Sequence, residues 1–240
     1  LIASDFGGSI EHIGGVARTF TEAGGQIIQE IYPPPGTADF APYLAQVRRD
    51  ADVVVTAIFG ADALRFVKQY AEFGLKEKIP LVGKAITLED VLPAQGDDAI
   101  GVISTFHYST ALDNPENKRF VEAYTAKYKR TPTGMSDQGY VGAQMIAKAL
   151  EAVKGNIENQ EAFLSALRRV EVDAPRGKVK LDAFQNPIHT IYIFKVEKKG
   201  GVLQNIPIAS YPNTNQFWKW TPEAFMAMPP YAELKGKWAR

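Results

Sequence analysis

The 240-residue sequence contains no cysteine, which excludes disulfide bonds, thiolate nucleophiles and thiolate metal ligands. It has no uninterrupted apolar run of about 18 residues, the length that a membrane-spanning helix needs. Its three histidines, His12, His107 and His189, form neither an i,i+4 pair nor an H-E-x-x-H motif, so we expect no zinc site. These absences remove several classes of enzyme.

Charge is balanced over the whole chain but not along it. Lys and Arg total 27 and so do Asp and Glu, so no net field favours a nucleic acid or an anionic membrane as the main partner. Residues 1–106 carry 8 basic and 14 acidic side chains, whereas residues 107–240 carry 19 and 13. With 45% hydrophobic residues, the chain is expected to fold as one large domain or two compact lobes.

Strand and helix patterns alternate through residues 1–106. Residues 52–59 form a continuous apolar run, which is typical of a strand buried on both faces of a parallel sheet. Helical repeats separate this run from other strand-like segments, and Thr87 is predicted to cap a short helix. The pattern predicts an α/β fold with a doubly wound parallel sheet, whose other strands lie at 1–4, 26–32, 79–83 and 100–108.

The second part of the chain has a different pattern. Three helices are predicted first, beginning at Asn114-Pro115, near residue 137 and near residue 159. Three strands follow, and Lys199-Gly200-Gly201 is predicted to be the hairpin turn between the last two. These strands are expected at 177–182, 190–197 and 202–208.

No catalytic motif is found. The glycines at 7, 8, 14 and 15 fit neither G-x-G-x-x-G nor the P-loop spacing, and no G-x-S-x-G motif occurs. The acidic pairs Glu89-Asp90 and Asp97-Asp98 are adjacent residues that face different ways. The sequence therefore predicts a binding protein without a cofactor, and an enzyme whose catalytic residues meet only in the fold stays an alternative.

Three predicted strand ends carry candidate binding residues. These loops are Asp5-Phe6-Gly7-Gly8, Phe59-Gly60-Ala61-Asp62 and Gly83-Lys84-Ala85. In open α/β sheets, ligands bind at the carboxyl ends of the strands. Two aromatic rings and one cation are therefore expected at equivalent positions of the sheet.

Several segments, in their order and spacing, resemble the type I periplasmic solute-binding proteins of branched-chain amino-acid ABC transporters. These segments are Leu1–Gly7, Thr37–Phe40, Asp52–Phe59, Gly74–Lys76 and Gln138–Tyr140. The resemblance covers essentially the whole chain and implies two α/β lobes, of which the first is incomplete because the chain starts inside the second. Residues 1–106 would be the second lobe, 107–189 the returning part of the first, and 190–240 the final crossing and a tail on the second lobe.

The resemblance also implies a set of ligand-binding residues. Phe6 and Phe59 stand where this family places aromatic rings over the ligand. Amino-acid binders of the family carry an acid after the glycine at 83, whereas this chain has Lys84-Ala85-Ile86, which favours an organic anion over a free amino acid. The full set is Phe6, Phe59, Gly60, Lys84, Ala85, Asp137 and Tyr140.

The implied function is transport. The segments 211–218 and 220–225 are similar to the subgroup that binds aromatic or other carboxylic acids. A protein of this kind captures a small organic anion or amino-acid-like solute in the periplasm by lobe closure and delivers it to a membrane permease. A ligand-sensing regulatory or receptor domain of the same fold is the alternative, and neither function involves a nucleic acid.

Overall fold

The computed structural model describes residues 1–239 and divides the chain into two compact units. Unit 1 contains Leu1–Thr105, Lys195–Asn205 and the described residues from Pro222 onward. Unit 2 contains Phe106–Phe194 and Ile206–Thr221. The division into 1–106, 107–189 and 190–240, the last as a final crossing with a tail, stays a prediction.

A parallel sheet forms the centre of unit 1. Its strands lie side by side in chain order, so each connection crosses over through the intervening segment. The later segment around Val196 joins this sheet, since its amide donates to the carbonyl of Val102 at 3.0 Å. The four parallel strands are β1 (Ile2–Ala3), β2 (Val54–Ala57), β3 (Leu81–Lys84) and β4 (Ile103–Phe106).

Helices cover the sheet of unit 1 and close its core. Phe40, Phe66 and Tyr70 are almost fully buried. The ring centroid of Phe66 lies 5.3 Å from that of Phe40 and 5.8 Å from that of Tyr70. The α-helices of this unit are α1 (Gly7–Glu22), α2 (Ala41–Leu44), α3 (Gly60–Glu72), α4 (Leu92–Gln95) and α8 (Pro222–Met226). Two 3-10 helices, Gly96–Ala99 and Tyr231–Leu234, complete it.

The predicted α/β fold with a parallel sheet is confirmed, but two local predictions were wrong. The predicted strand at 26–32 is reduced to a single bridge between Ile31 and Ile2. The amide of Ile31 donates to Leu1 and its carbonyl accepts from Ala3, but Pro33 has no amide hydrogen with which to continue the pairing. Thr87 does not cap a helix, since α4 begins at Leu92. Its hydroxyl instead donates to Asn205 Oδ1 at 2.7 Å.

Unit 2 packs helices against antiparallel strands. Asn114, Thr133 and Asn159 each cap a helix by accepting a backbone amide, which explains where the three helices begin. The sequence missed strand β5, which pairs antiparallel with β6, and β6 pairs in turn with β7. The elements are α5 (Pro115–Tyr128), α6 (Gly134–Ala152), α7 (Gln160–Arg168), β5 (Glu171–Ala174), β6 (Gly177–Leu181), β7 (Pro187–Lys199) and β8 (Val202–Thr214).

The long strands β7 and β8 supply residues to both units. Their loop is Gly200-Gly201, and both glycines have positive φ, as a tight two-residue hairpin requires. The predicted hairpin is therefore present. In the part of the chain that the structure describes, no helix has the length and apolar character to cross a membrane.

Replacing Asn205 is expected to destabilise unit 1. The buried amide of Asn205 accepts from the hydroxyl of Thr87 and donates to its carbonyl at 2.6 Å, so Asn205→Ala leaves buried polar atoms without these partners. We expect the free energy of unfolding to fall by about 2 kcal/mol in a denaturant titration. Ser210→Ala, at an exposed position of β8, is the control and should change it little. Equal stability of both variants would contradict the role of this pair.

Candidate functional site

The carboxyl ends of β1, β2 and β3 bring three predicted residues of unit 1 together. Ala3 lies opposite Ala57, and Thr56 lies opposite Gly83, so the three strands end at the same edge of the sheet. Phe6 and Phe59 follow β1 and β2, and Lys84 is the last residue of β3. The topology thus places two aromatic rings and one cation as the sequence predicted.

Phe59 is the centre of this group. Its ring centroid lies 6.3 Å from that of Phe6 in an edge-to-face arrangement. The ammonium nitrogen of Lys84 lies 5.0 Å from the centroid of the Phe59 ring, at cation–π distance. Phe6 is 42% exposed, so this ring is open to contact with a further molecule.

Both aromatic residues occupy the N-cap positions of helices. Phe6 precedes α1 and Phe59 precedes α3, and neither side chain accepts a hydrogen bond from the helix that it begins. The first turn of α1 contains no acidic residue, so its partial positive charge is not offset within the helix. Gly60 has φ +59°, a left-handed conformation that glycine adopts readily, and this explains the glycine at the start of α3.

The backbone around Lys84 is tightly constrained. A Cβ atom at Gly83 would lie 2.8 Å from Cγ2 of Ile86, so only glycine fits in β3 at this position. Ala85 is buried and has φ +53°, which turns the chain directly after Lys84. Burial lowers the pKa of Lys84, because a half-buried ammonium has lost part of its hydration. An anion at this point would replace that lost hydration.

His12 belongs to the same group, although the sequence analysis considered it only as a metal ligand. Its ring centroid lies 5.7 Å from that of Phe59, again edge to face. Its Nδ1 is hydrogen-bonded to the carbonyl of Gly8, one helical turn earlier. The sequence around His12 did not indicate a place in this group, because only the fold brings Phe59 beside it.

The C-terminal segment lies next to the Phe6 loop within unit 1. Lys235 forms an ion pair with Asp5, the residue before Phe6. The carboxylate of Glu30 holds the residues that follow Lys235. Burial alone would raise the pKa of Glu30, but its hydrogen bonds hold that pKa below the ordinary value. It accepts from the amides of Gly236, Trp238 and Ala239 at 2.9, 2.7 and 2.9 Å.

The two remaining predicted binding residues lie on α6 of unit 2. Asp137 is fully buried, and its Oδ2 lies 2.6 Å from Nε of Arg176. Burial raises the pKa of Asp137 above its ordinary value, and the guanidinium of Arg176 limits the rise. Tyr140 is 44% exposed, and its ring packs against that of Phe120 with centroids 4.8 Å apart. A role for either residue in binding stays a prediction.

Two histidines that are distant in the sequence meet beside this ion pair. The ring centroids of His107 and His189 are 5.5 Å apart, and His107 Nε2 lies 3.7 Å from Oδ2 of Asp137. Burial, and then the charge of Arg176, lower the pKa of His189 to about 4. Among the described residues, no three His, Cys, Asp or Glu side chains form a group that could hold a metal ion.

A parallel α/β sheet with aromatic and cationic side chains at its carboxyl edge is the architecture of α/β ligand-binding proteins. The sequence matches the periplasmic binding protein family over residues 2–201. The chain belongs to this family, which confirms the resemblance stated above.

The curated relatives of the chain include proteins named as Leu/Ile/Val-binding protein homologues. It is 34% identical over 205 residues to Leu/Ile/Val-binding protein homolog 6 of Brucella suis biovar 1 (strain 1330), covering 82% of this chain and 52% of the relative. The chain thus spans about half the length of the curated relatives it matches.

Two solved structures share the fold over most of the chain. An ABC transporter substrate-binding protein from Sphaerobacter thermophilus is 38% identical, with a TM-score of 0.85 over 88% of this chain and 59% of that one. A solute-binding protein of an ABC transporter from Rhodopseudomonas palustris BisB5, solved with 3,4-dihydroxy benzoic acid, is 32% identical. Its TM-score is 0.80 over 89% of this chain and 61% of that one.

His189 is expected to make the protein less stable in acid. The folded state keeps His189 neutral down to a pKa of about 4, whereas an unfolded histidine takes up its proton near pH 6.5. As the pH falls between these values, the unfolded state binds more protons and the free energy of unfolding decreases. The raised pKa of Asp137 acts in the opposite direction, because it favours the protonated acid in the folded state.

Denaturant titrations between about pH 7 and pH 4.5 on the parent protein and on His189→Leu measure this effect. We expect the variant to lose stability less steeply on acidification. Ser210→Ala, an exposed substitution that changes no titratable group, is the control and should keep the parent slope. A parental slope in His189→Leu would show that other groups cause the acid sensitivity.

Proposed function

We propose that the protein is the substrate-binding component of an ABC transporter and that its solute is a small aromatic carboxylate. Phe6 and Phe59 contact the aromatic ring of the solute, and Lys84 binds its carboxylate. Gly60 and Ala85 hold the backbone that positions these side chains. The protein captures the solute by lobe closure in the periplasm and delivers it unchanged to a membrane permease.

The observation that carries this proposal is the placement of Lys84 beside Phe59 at the carboxyl edge of the sheet. A half-buried ammonium next to the Phe59 ring, which packs in turn against Phe6, matches a ligand that has a flat apolar body and one negative charge. Each aromatic contact contributes about 0.5–1.5 kcal/mol beyond the burial of its area. A charge-assisted hydrogen bond to Lys84 adds about 1.5–3 kcal/mol.

The positive charge of Lys84 also favours aromatic acids over free amino acids as ligands. An α-amino acid carries an ammonium group, which needs a nearby carboxylate when it leaves water. The acid nearest Phe6 in the sequence, Asp5, is paired with Lys235. The positive charge of Lys84 therefore disfavours a ligand ammonium and favours a carboxylate.

The relatives support the same class of solute. The structure from Rhodopseudomonas palustris BisB5, which is 32% identical to this chain, contains 3,4-dihydroxy benzoic acid. The Brucella relative is named for branched-chain amino acids, so leucine is the comparison ligand that tests the assignment.

The test is calorimetric titration of the full-length protein with benzoate and with leucine. We expect benzoate to bind and leucine to bind more weakly. Lys84→Met, which removes the charge and keeps most of the side-chain length, should weaken benzoate binding about tenfold to hundredfold. The reason is the loss of the charge-assisted contact.

Lys78→Met is the matched control. Lys78 is exposed and precedes β3, so it lies toward the opposite end of the strand that Lys84 terminates. Its replacement removes the same charge and should leave benzoate affinity within about twofold, because an exposed charge at a distance is screened by salt. Stronger binding of leucine than of benzoate, or unchanged benzoate affinity in Lys84→Met, would refute the proposed solute class.

A further inference from the structure

His12 adds a hydrogen-bond acceptor to the group around Phe59. Its Nδ1 contacts the carbonyl oxygen of Gly8, and a carbonyl oxygen only accepts hydrogen bonds. Nδ1 therefore carries the proton, and in a neutral imidazole the other nitrogen, Nε2, is then an acceptor. The tautomer of His12 is thus fixed by the first turn of α1.

The surroundings of His12 keep its ring neutral at neutral pH. The side chain is exposed by surface area, yet its neighbours remove part of the surrounding water, and this lowers the pKa of His12. The hydrogen bond to Gly8 opposes the decrease, and the charges of Lys84 and Glu11 act on the ring in opposite directions, the first lowering the pKa and the second raising it. An acceptor nitrogen is therefore present when the ligand binds.

The position of the ring determines what this acceptor can contact. His12 packs edge to face against Phe59 with centroids 5.7 Å apart, while Lys84 lies 5.0 Å from the same ring. A ligand held by Phe59 thus meets a cation and a neutral acceptor around one aromatic ring. Two different polar groups on the ligand match these two residues, a negative group for Lys84 and a hydrogen-bond donor for His12.

The donor on the ligand should be uncharged. An ammonium group would satisfy Nε2 of His12, but it would also face the positive charge of Lys84 across the same small site. A hydroxyl group donates a hydrogen bond without carrying charge. On an aromatic ring it is also compatible with contact to Phe6 and Phe59.

We propose that His12 is a specificity-determining residue that accepts a hydrogen bond from a ring hydroxyl, so that the protein prefers hydroxylated aromatic carboxylates to the unsubstituted acid. This inference rests on the proposed function, because it takes the carboxylate to lie at Lys84 and the ring at Phe59. It adds a second polar contact, and with it a means of distinguishing ligands of nearly equal size.

Calorimetric titration of the full-length protein at neutral pH with benzoate and with 2-, 3- and 4-hydroxybenzoate tests the proposal. At least one hydroxybenzoate should bind about tenfold more tightly than benzoate, the effect of one hydrogen bond. His12→Leu should remove this preference, so that benzoate and the hydroxybenzoates bind this variant with similar affinity. His12→Gln, whose side-chain amide oxygen can reach the position of Nε2, should retain part of the preference.

Thr19→Val, at an exposed position of the same helix, is the control variant and should keep the parent preference. Benzoate binding without a preference for any hydroxybenzoate would overturn the role of His12 and leave the proposed function standing. A preference that persists in His12→Leu would overturn it as well. If neither benzoate nor any of the three hydroxybenzoates binds, both proposals are wrong.

Discussion

The parallel register between β1 and β2 is the constraint on which the candidate site depends. Ile2 pairs with Thr56 and Ala3 with Ala57, so the two strands end together, and the residues that follow them begin α1 and α3. Backbone hydrogen bonds thus decide that Phe6 and Phe59 meet. A shift of one residue would turn a side chain to the opposite face of the sheet and separate the two rings.

Lys84 at the candidate site and the Asp137–Arg176 pair of unit 2 differ in their exposure to solvent. Lys84 is half-buried, and Phe6, which packs against the same Phe59 ring, remains open to a further molecule. The pair of Asp137 and Arg176 is closed to solvent, and removal of either member would leave an uncompensated charge in the interior of unit 2. The first arrangement is suited to binding, whereas the second fixes the start of α6 against the turn between β5 and β6.

The sequence predicted the parts of the structure that follow from local pattern and from topology. The apolar run of β2, the capped start of α5 and the hairpin loop at 200–201 each have a local physical cause. The grouping of Phe6, Phe59 and Lys84 follows from topology, because the carboxyl ends of adjacent parallel strands lie at the same edge of the sheet.

The features that were missed depend on contacts between distant segments. His12 gains its neighbours only when β2 brings Phe59 to α1, and the partner of Asp137 is an arginine in a turn much later in the chain. The segment 26–32 has the composition of a strand, but Pro33 lacks an amide hydrogen and its pairing with β1 is limited to one bridge. No property of these residues by themselves would have revealed such outcomes.

The uncapped helix starts have a consequence for the evolution of this fold. Ser, Thr, Asp or Asn at an N-cap position stabilises a helix by about 1 kcal/mol relative to a residue that cannot accept the amide hydrogen bond. Phenylalanine occupies this position in both α1 and α3. Selection for heat resistance alone will therefore favour small polar residues at positions 6 and 59. Such substitutions would remove both aromatic rings from the candidate site.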